Sequence, residues 1–440
     1  MLCIDNRGCI MKNITKIMSL ALIAILLVSC RGNVAGGTTT SISDLSENEI
    51  KTSSNTDTNG STSTSTSSAP AENLMTYTSY SVETYIKSLY TGNVVYNETA
   101  MVLQNNDGSF DDVTLMYNIE KIYAVYDFRL MVKYEEGSDY VVKNGKLSFP
   151  KSSRIMNFKK NELYPSTSQP QLDNPGRGTV DGLGDTPYVY FQGGSFMSEH
   201  QIAVTYRHTD AWKGETVKYK GNLIPKTAAK LKANQPVKMF ALGDSITAGS
   251  DSSAATGILP KSPGYVLMAE NALKNVYNYN LTYKNLGAGG TNSEGALSRA
   301  YAEIVGQNPD LVTIAYGMND FRNSTETFTS NIKKTIELIR TTHPDCEFLL
   351  ISTMHPNPKC NLFAYNGNPD NNYIRFEKAL LNLESSMTGV AVVPVTSMHN
   401  SLMTRKKYED ATGSNYNHPN DFMMRVYCQA VLDTMLENRK

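Results

Sequence analysis

The apolar run Val237-Lys-Met-Phe-Ala-Leu242 stops directly at Gly243-Asp244-Ser245-Ile246-Thr247. A short apolar run ended by glycine reads as a buried parallel strand. Comparable runs recur downstream, so strands are expected at 237–242, 281–285, 311–316, 347–352 and 390–395. Helical periodicity falls between and after them, at 265–276, 293–306, 325–341, 371–387 and 421–437. This alternation predicts an α/β architecture, a doubly wound parallel sheet of five strands. In open sheets of this kind, sites form beyond the carboxyl ends of the strands. Gly-Asp-Ser at the end of the first strand therefore puts the Ser245 hydroxyl at the functional rim, although the triplet is also an ordinary turn composition.

Three later segments lie at comparable places. Asn285-Leu-Gly-Ala-Gly-Gly290 follows the second expected strand, and its glycines let a loop present backbone N–H groups at close range. Tyr316-Gly-Met-Asn-Asp320 follows the third strand, and Asn415-Tyr-Asn-His-Pro419 precedes a C-terminal amphipathic helix. In this order the four segments, from about Val237 to the C-terminus, resemble the conserved blocks of the SGNH hydrolases, also called GDSL-type esterases, with a flavodoxin-like sheet. The resemblance implies Ser245 as nucleophile and His418 as base. It also implies an oxyanion hole from the Ser245 and Gly290 backbone N–H groups and the Asn319 amide, the parts acyl transfer requires.

One position departs from the family pattern. Asn415 stands three residues before the histidine, where the family usually carries Asp. Asn can accept a hydrogen bond and fix the imidazole tautomer, but it cannot supply the negative charge that stabilises an imidazolium. Three readings are open: Asn415 orients His418, a backbone carbonyl does so, or an acid from elsewhere substitutes. Asp421 reads better as a charge at a helix start. His399 is the rival base, His355 a candidate substrate contact or loop residue, and Asp244 and Asp320 read as turn organisers.

The N-terminus resembles a bacterial lipoprotein leader. A basic stretch at 11–16 precedes an apolar one, and Leu27-Val-Ser-Cys30 resembles a lipobox with Cys30 as the lipidated residue. Residues 1–30 are thus expected to be a signal peptide, and 31–72 a disordered Ser/Thr-rich tether with too few apolar residues for a core. Residues 73–224 alternate in short Tyr- and Val-rich runs and predict an all-β sandwich with a hairpin at Asn144-Gly145. Residues 225–236 read as a linker into the hydrolase domain at 237–440. The sole tryptophan, Trp212, reads as a core or interface residue.

A formal charge of −1 gives no electrostatic footprint for nucleic acid. The six cysteines include three downstream of Cys30, an odd number with no metal-ligand spacing, so no metal and no cofactor are expected. The expected function is an extracytoplasmic, lipid-anchored serine esterase that removes O-acetyl groups from polysaccharide. The expected partners are an acylated carbohydrate and a membrane reached only through the anchor. The alternative is a glycan-binding surface lipoprotein whose hydrolase domain is weak or degenerate, a reading kept open by Asn415.

Overall fold

The five apolar runs from Val237 onward assemble into one parallel sheet. Its spatial order is Leu281–Gly287, Val237–Gly243, Leu311–Ala315, Glu347–Ile351 and Val390–Val393. The strand leading to Ser245 is flanked by the second and third strands of the domain, in register from Val237↔Leu281 to Gly243↔Gly287 and from Met239↔Leu311 to Gly243↔Ala315. Chain order therefore reverses beside this strand, the position where doubly wound sheets open a crevice. The computed structural model describes residues 74–173, 176–277, 280–364 and 370–437. The expected signal peptide, Cys30 and the whole tether lie outside the described residues.

Helices Tyr265–Val276, Ser293–Glu303, Thr325–Thr342, Asp370–Ser386 and Asp421–Met435 occupy the expected segments. Asn292, Ser324 and Asn420 cap three of them by accepting from backbone N–H groups one turn in. Two helices of eight or more residues were not expected, Pro225–Lys232 and Val395–Met403. The first replaces most of the expected linker: Pro225 stands in its first turn, and the Lys226 and Thr227 N–H groups donate to the Glu347 carboxylate at 3.0 and 2.7 Å.

The preceding region is rich in β-strands, as expected, antiparallel except for the short parallel pair Leu103–Gln104 and Phe158–Lys159. Its main sheet orders Val94–Met101, Gln201–Arg207, Lys121–Asp127 and Lys133–Tyr134. A second sheet orders Tyr188–Gln192, Gly176–Asp181 and Leu172–Asp173. The hairpin Val141–Lys143/Lys146–Ser148 turns at Asn144 and Gly145, both with positive φ, 49° and 74°. Segments 112–116 and 216–219 have strand-like apolar runs but form no strand. Val113 makes only a single bridge to Leu147, and Leu115 and Met116 are buried without a strand partner, Met116 N–H donating to the Glu98 carboxylate instead.

The described residues from Thr76 onward form one compact unit, so the expected boundary at 225–236 does not separate two cores. The reason lies in the last helix, Asp421–Met435. It is buried almost all round instead of being amphipathic, because the β region covers the face expected to meet water. Arg425 donates to the carbonyls of Tyr96 (2.8 Å), Thr84 and Lys87, and Gln429 bonds both to Leu89 N–H and to the carbonyls of Tyr85 and Lys87. Trp212 packs against the core beside Tyr90 and Tyr117, close to the helix Val395–Met403, where Glu215 N–H donates to Ser401 Oγ.

An ion pair without solvent exposure fastens the same junction. Lys406 Nζ meets Glu98 Oε1 at 2.6 Å and donates to Thr99 O at 2.8 Å, while Glu98 also accepts from Met116 N–H and Tyr206 O–H. Such a pair contributes little net stability while intact, but removing one partner strands the other charge. Lys406→Met is expected to cost about 3–5 kcal/mol of unfolding free energy. Urea denaturation of the two proteins checks this, and a change below 1 kcal/mol, the level of an exposed pair, would be the contrary result.

Candidate active site

Gly243 and Gly287 are fixed by crowding where the Ser245 turn leaves the sheet. A Cβ on Gly243 would stand 2.1 Å from Thr247 Oγ1, and one on Gly287 would stand 2.1 Å from Ala248 N. The short helix Ser245–Ala248 therefore sits directly on the end of the sheet. Asp244 caps it, its carboxylate accepting Ile246 N–H at 2.9 Å, and burial pushes the Asp244 carboxyl up to about 7. Asp244 is thus the turn organiser the sequence suggested.

His418 Nε2 lies 2.9 Å from Ser245 Oγ, and its Nδ1 lies 2.8 Å from Asp251 Oδ2. A carboxylate can only accept, so in the neutral ring Nδ1 carries the proton and Nε2 accepts from the serine hydroxyl. Burial disfavours the charged ring, but the nearby Asp251 carboxylate and its hydrogen bond outweigh it, and the His418 pKa is raised above its ordinary value. The arrangement is a serine–imidazole–carboxylate relay able to take a proton from the hydroxyl and hold the resulting imidazolium.

The carboxylate in contact with His418 is Asp251, and Asn415 does not touch the ring. Asn415 is fully buried with φ 58°, a left-handed conformation Asn tolerates, and its side chain is committed elsewhere. Its Nδ2 donates to Tyr190 O at 2.8 Å, and its Oδ1 and backbone O both accept from Asn357 Nδ2 at 2.9 Å. The expectation that Asn415 orients His418 is therefore corrected, and the third reading, an acid from elsewhere, fits the geometry. Asp251 lies six residues after Ser245 in Gly249-Ser-Asp251, with φ 64°. Its only signal in the sequence is this polar stretch beside the nucleophile block.

The loops of Gly290 and Asn319 come to the same rim. Three donors converge on Gly243 O: Ala288 N–H at 3.0 Å, Thr291 Oγ1 at 3.3 Å and Arg299 Nη1 at 3.0 Å. Gly290 is exposed at φ 71°, and Asn319 Nδ2 donates to Thr291 O at 2.9 Å, which ties the third strand's loop to the second's. Asp320 organises this loop by accepting from Ser293 N–H and Oγ and from Asn323 Nδ2. Arg299, absent from the sequence reading, also bonds Tyr316 O–H and Leu286 O and so staples the rim. Asp421 does more than start a helix: its Oδ1 accepts Ser253 N–H at 2.8 Å and pins the loop that carries Asp251.

His399 and His355 are buried together, with ring centroids 5.8 Å apart, and neither bonds Ser245. Burial holds His399 well below the usual imidazole range, so the expected rival base has neither the carboxylate nor the serine. Both histidines line a cavity of ≈ 820 Å³ behind the histidine loop; Ser245 and His418 do not line it. Cys346, Cys360 and Cys428 are buried. Among the described residues, no group of three His, Cys, Asp or Glu side chains could hold a metal ion.

Residues 241–426 match the GDSL-like Lipase/Acylhydrolase family. The matched stretch contains Ser245, Gly290, Asn319 and His418. No curated protein matches the chain. Among solved structures, a two-domain esterase active on acetylated mannans is similar at 22% identity and TM-score 0.38, over 50% of this chain and 54% of that one. The chain therefore spans about half the length of that esterase. An acetylxylan esterase from Geobacillus stearothermophilus is similar at 14% identity and TM-score 0.38, over 47% of this chain and 98% of that one.

Proposed function

We propose that the protein is an extracytoplasmic serine esterase that removes O-acetyl groups from polysaccharide. The observation that carries the reading is the Ser245–His418–Asp251 relay at the end of the first parallel strand. In the proposed reaction, Ser245 Oγ attacks the ester carbonyl as His418 Nε2 takes its proton. The Ser245 and Gly290 N–H groups and the Asn319 amide receive the developing oxyanion. His418 then protonates the leaving alkoxide oxygen, and water repeats the sequence on the acyl-enzyme. Two features favour a small acyl group on a hydroxyl-rich carrier: Ser245 is only 4% exposed, and the rim beside it carries Asn285, Thr291, Asn292 and Asn319. Anchoring through Cys30 belongs to the same proposal and rests on the lipobox resemblance. The alternative of a degenerate hydrolase drew on Asn415, and it loses that support with Asp251 on His418.

The test is acetate release by the purified protein from acetylated mannan, xylan and pectin, with p-nitrophenyl acetate as a reference ester. Turnover of the small ester and of at least one glycan is expected. Hydrolysis of long-chain esters in preference to acetyl esters would overturn the substrate assignment, and no turnover of any ester would overturn the enzyme.

A further inference from the structure

We infer that the antiparallel β region is a working part of the catalytic centre, with the Gly194 backbone N–H and the strand Tyr188–Gln192 as the positioning groups of Asp251 and the His418 loop. The inference rests on the relay proposed above. Asp251 lies in a loop outside any regular element, so its own segment does not aim its carboxylate. With Oδ2 on His418, Oδ1 accepts Gly194 N–H at 2.8 Å from 57 residues upstream. Gly194 reaches it through a turn at φ 83°, and the preceding Gly193 N–H is tied to Gly176 O at 2.9 Å.

The histidine side of the pair is held by the same five residues, 190–194. Tyr188–Gln192 is the edge strand of its sheet, and one side is paired with Gly176–Asp181. Alternate residues of a strand present their backbone groups to the same side, so Tyr190 and Gln192 act together. Tyr190 O accepts Asn415 Nδ2 at 2.8 Å, and Gln192 N–H donates to Ser414 O at 3.1 Å. Ser414 Oγ in turn accepts His418 N–H at 3.2 Å, and the Phe191 ring lies 5.1 Å from that of Tyr416. An edge whose polar groups would otherwise need water is thus completed by the histidine loop. The β region fixes the distance between acid and base, a task beyond that of an appended binding module.

Two substitutions in the full-length protein probe this hold. Gly194→Pro deletes the N–H and, with φ locked at about −65°, also forces the turn out of its left-handed conformation, whereas Gly194→Asn keeps the N–H and tolerates a left-handed φ. Gly194→Pro is expected to lower kcat about 10- to 100-fold with KM unchanged, the scale of a small misplacement of a catalytic group. The charged groups facing His418 are Asp251 and Asp244, so a looser Asp251 should move the acid limb of kcat/KM to lower pH. It should also remove the downfield proton resonance of His418 Nδ1–H. Gly194→Asn should stay near wild type in all three readouts. Asn415→Gly, which keeps the φ but drops the bond to Tyr190, tests the second hold and should likewise lower kcat alone. A folded Gly194→Pro protein with wild-type kcat, pH profile and resonance would overturn the inference, as would equal losses in both Gly194 variants. If Gly194→Pro does not fold, a wild-type kcat in Asn415→Gly overturns it. An active Ser245→Ala protein would instead overturn the relay itself, so the two failures are distinguishable.

Discussion

Ser245→Ala is expected to lower kcat on p-nitrophenyl acetate by about 10⁵- to 10⁶-fold, the scale seen when a nucleophile is removed from a serine hydrolase relay. Only the hydroxyl changes, and its one bond is to His418 Nε2. The backbone contacts of the turn persist in alanine, including Ser250 N–H to Ser245 O at 3.0 Å. The thermal unfolding midpoint should therefore move by no more than a few degrees. His418→Ala should cost about as much, and the double variant little more, because nucleophile and base act as one unit. Additive losses in the double variant would show that the two act independently and would refute the shared step. Retained turnover in either single variant would refute that residue's role.

Asp251→Asn should lower kcat by about 10³- to 10⁴-fold, the cost of giving the histidine the wrong orienting group. The carboxylate satisfies two donors at once, His418 Nδ1–H and Gly194 N–H, through its two oxygens. Asparagine has a single acceptor oxygen and cannot satisfy both. The charge also matters. His418 must be neutral to act as base, and Asp251 raises its pKa, so the wild-type acid limb of kcat/KM should lie at higher pH than an unperturbed imidazole would give and move down in Asp251→Asn. Asn415→Asp, which restores the family's usual residue, should not raise activity. It replaces the donor to Tyr190 O with a buried carboxylate and leaves a buried acceptor facing a carbonyl, at about 1–3 kcal/mol. Gains in kcat from Asn415→Asp would point to a histidine loop that can switch acids.

The parallel sheet, its order of elements and the Ser245–His418 pair were legible because each depends on local pattern: apolar runs ended by glycine, helical periodicity and motif blocks. Asp251 was not, because what makes it the acid is a contact 167 residues away in sequence, between two loops. The strand Lys121–Asp127 was missed since its exposed Lys121 and half-buried Tyr123 and Tyr126 blur the alternation. Asp112–Met116 was misread for the opposite reason, buried apolar residues in strand-like spacing that pack without a ladder. The last helix looked amphipathic because Arg425 and Gln429 resemble a wet face, and only their partners at 84–96 show otherwise.

That last helix also dictates an order of events during synthesis. The carbonyls that Arg425 and Gln429 serve lie 329–344 residues earlier in the chain. The β region emerges from the ribosome long before the segment that completes its core, so its native packing waits for release of nearly the whole polypeptide. Contacts of such long range also slow folding. For a chain we propose to be exported, this delay has a use. A polypeptide that cannot finish folding until its C-terminal end is free remains threadable for as long as translation lasts.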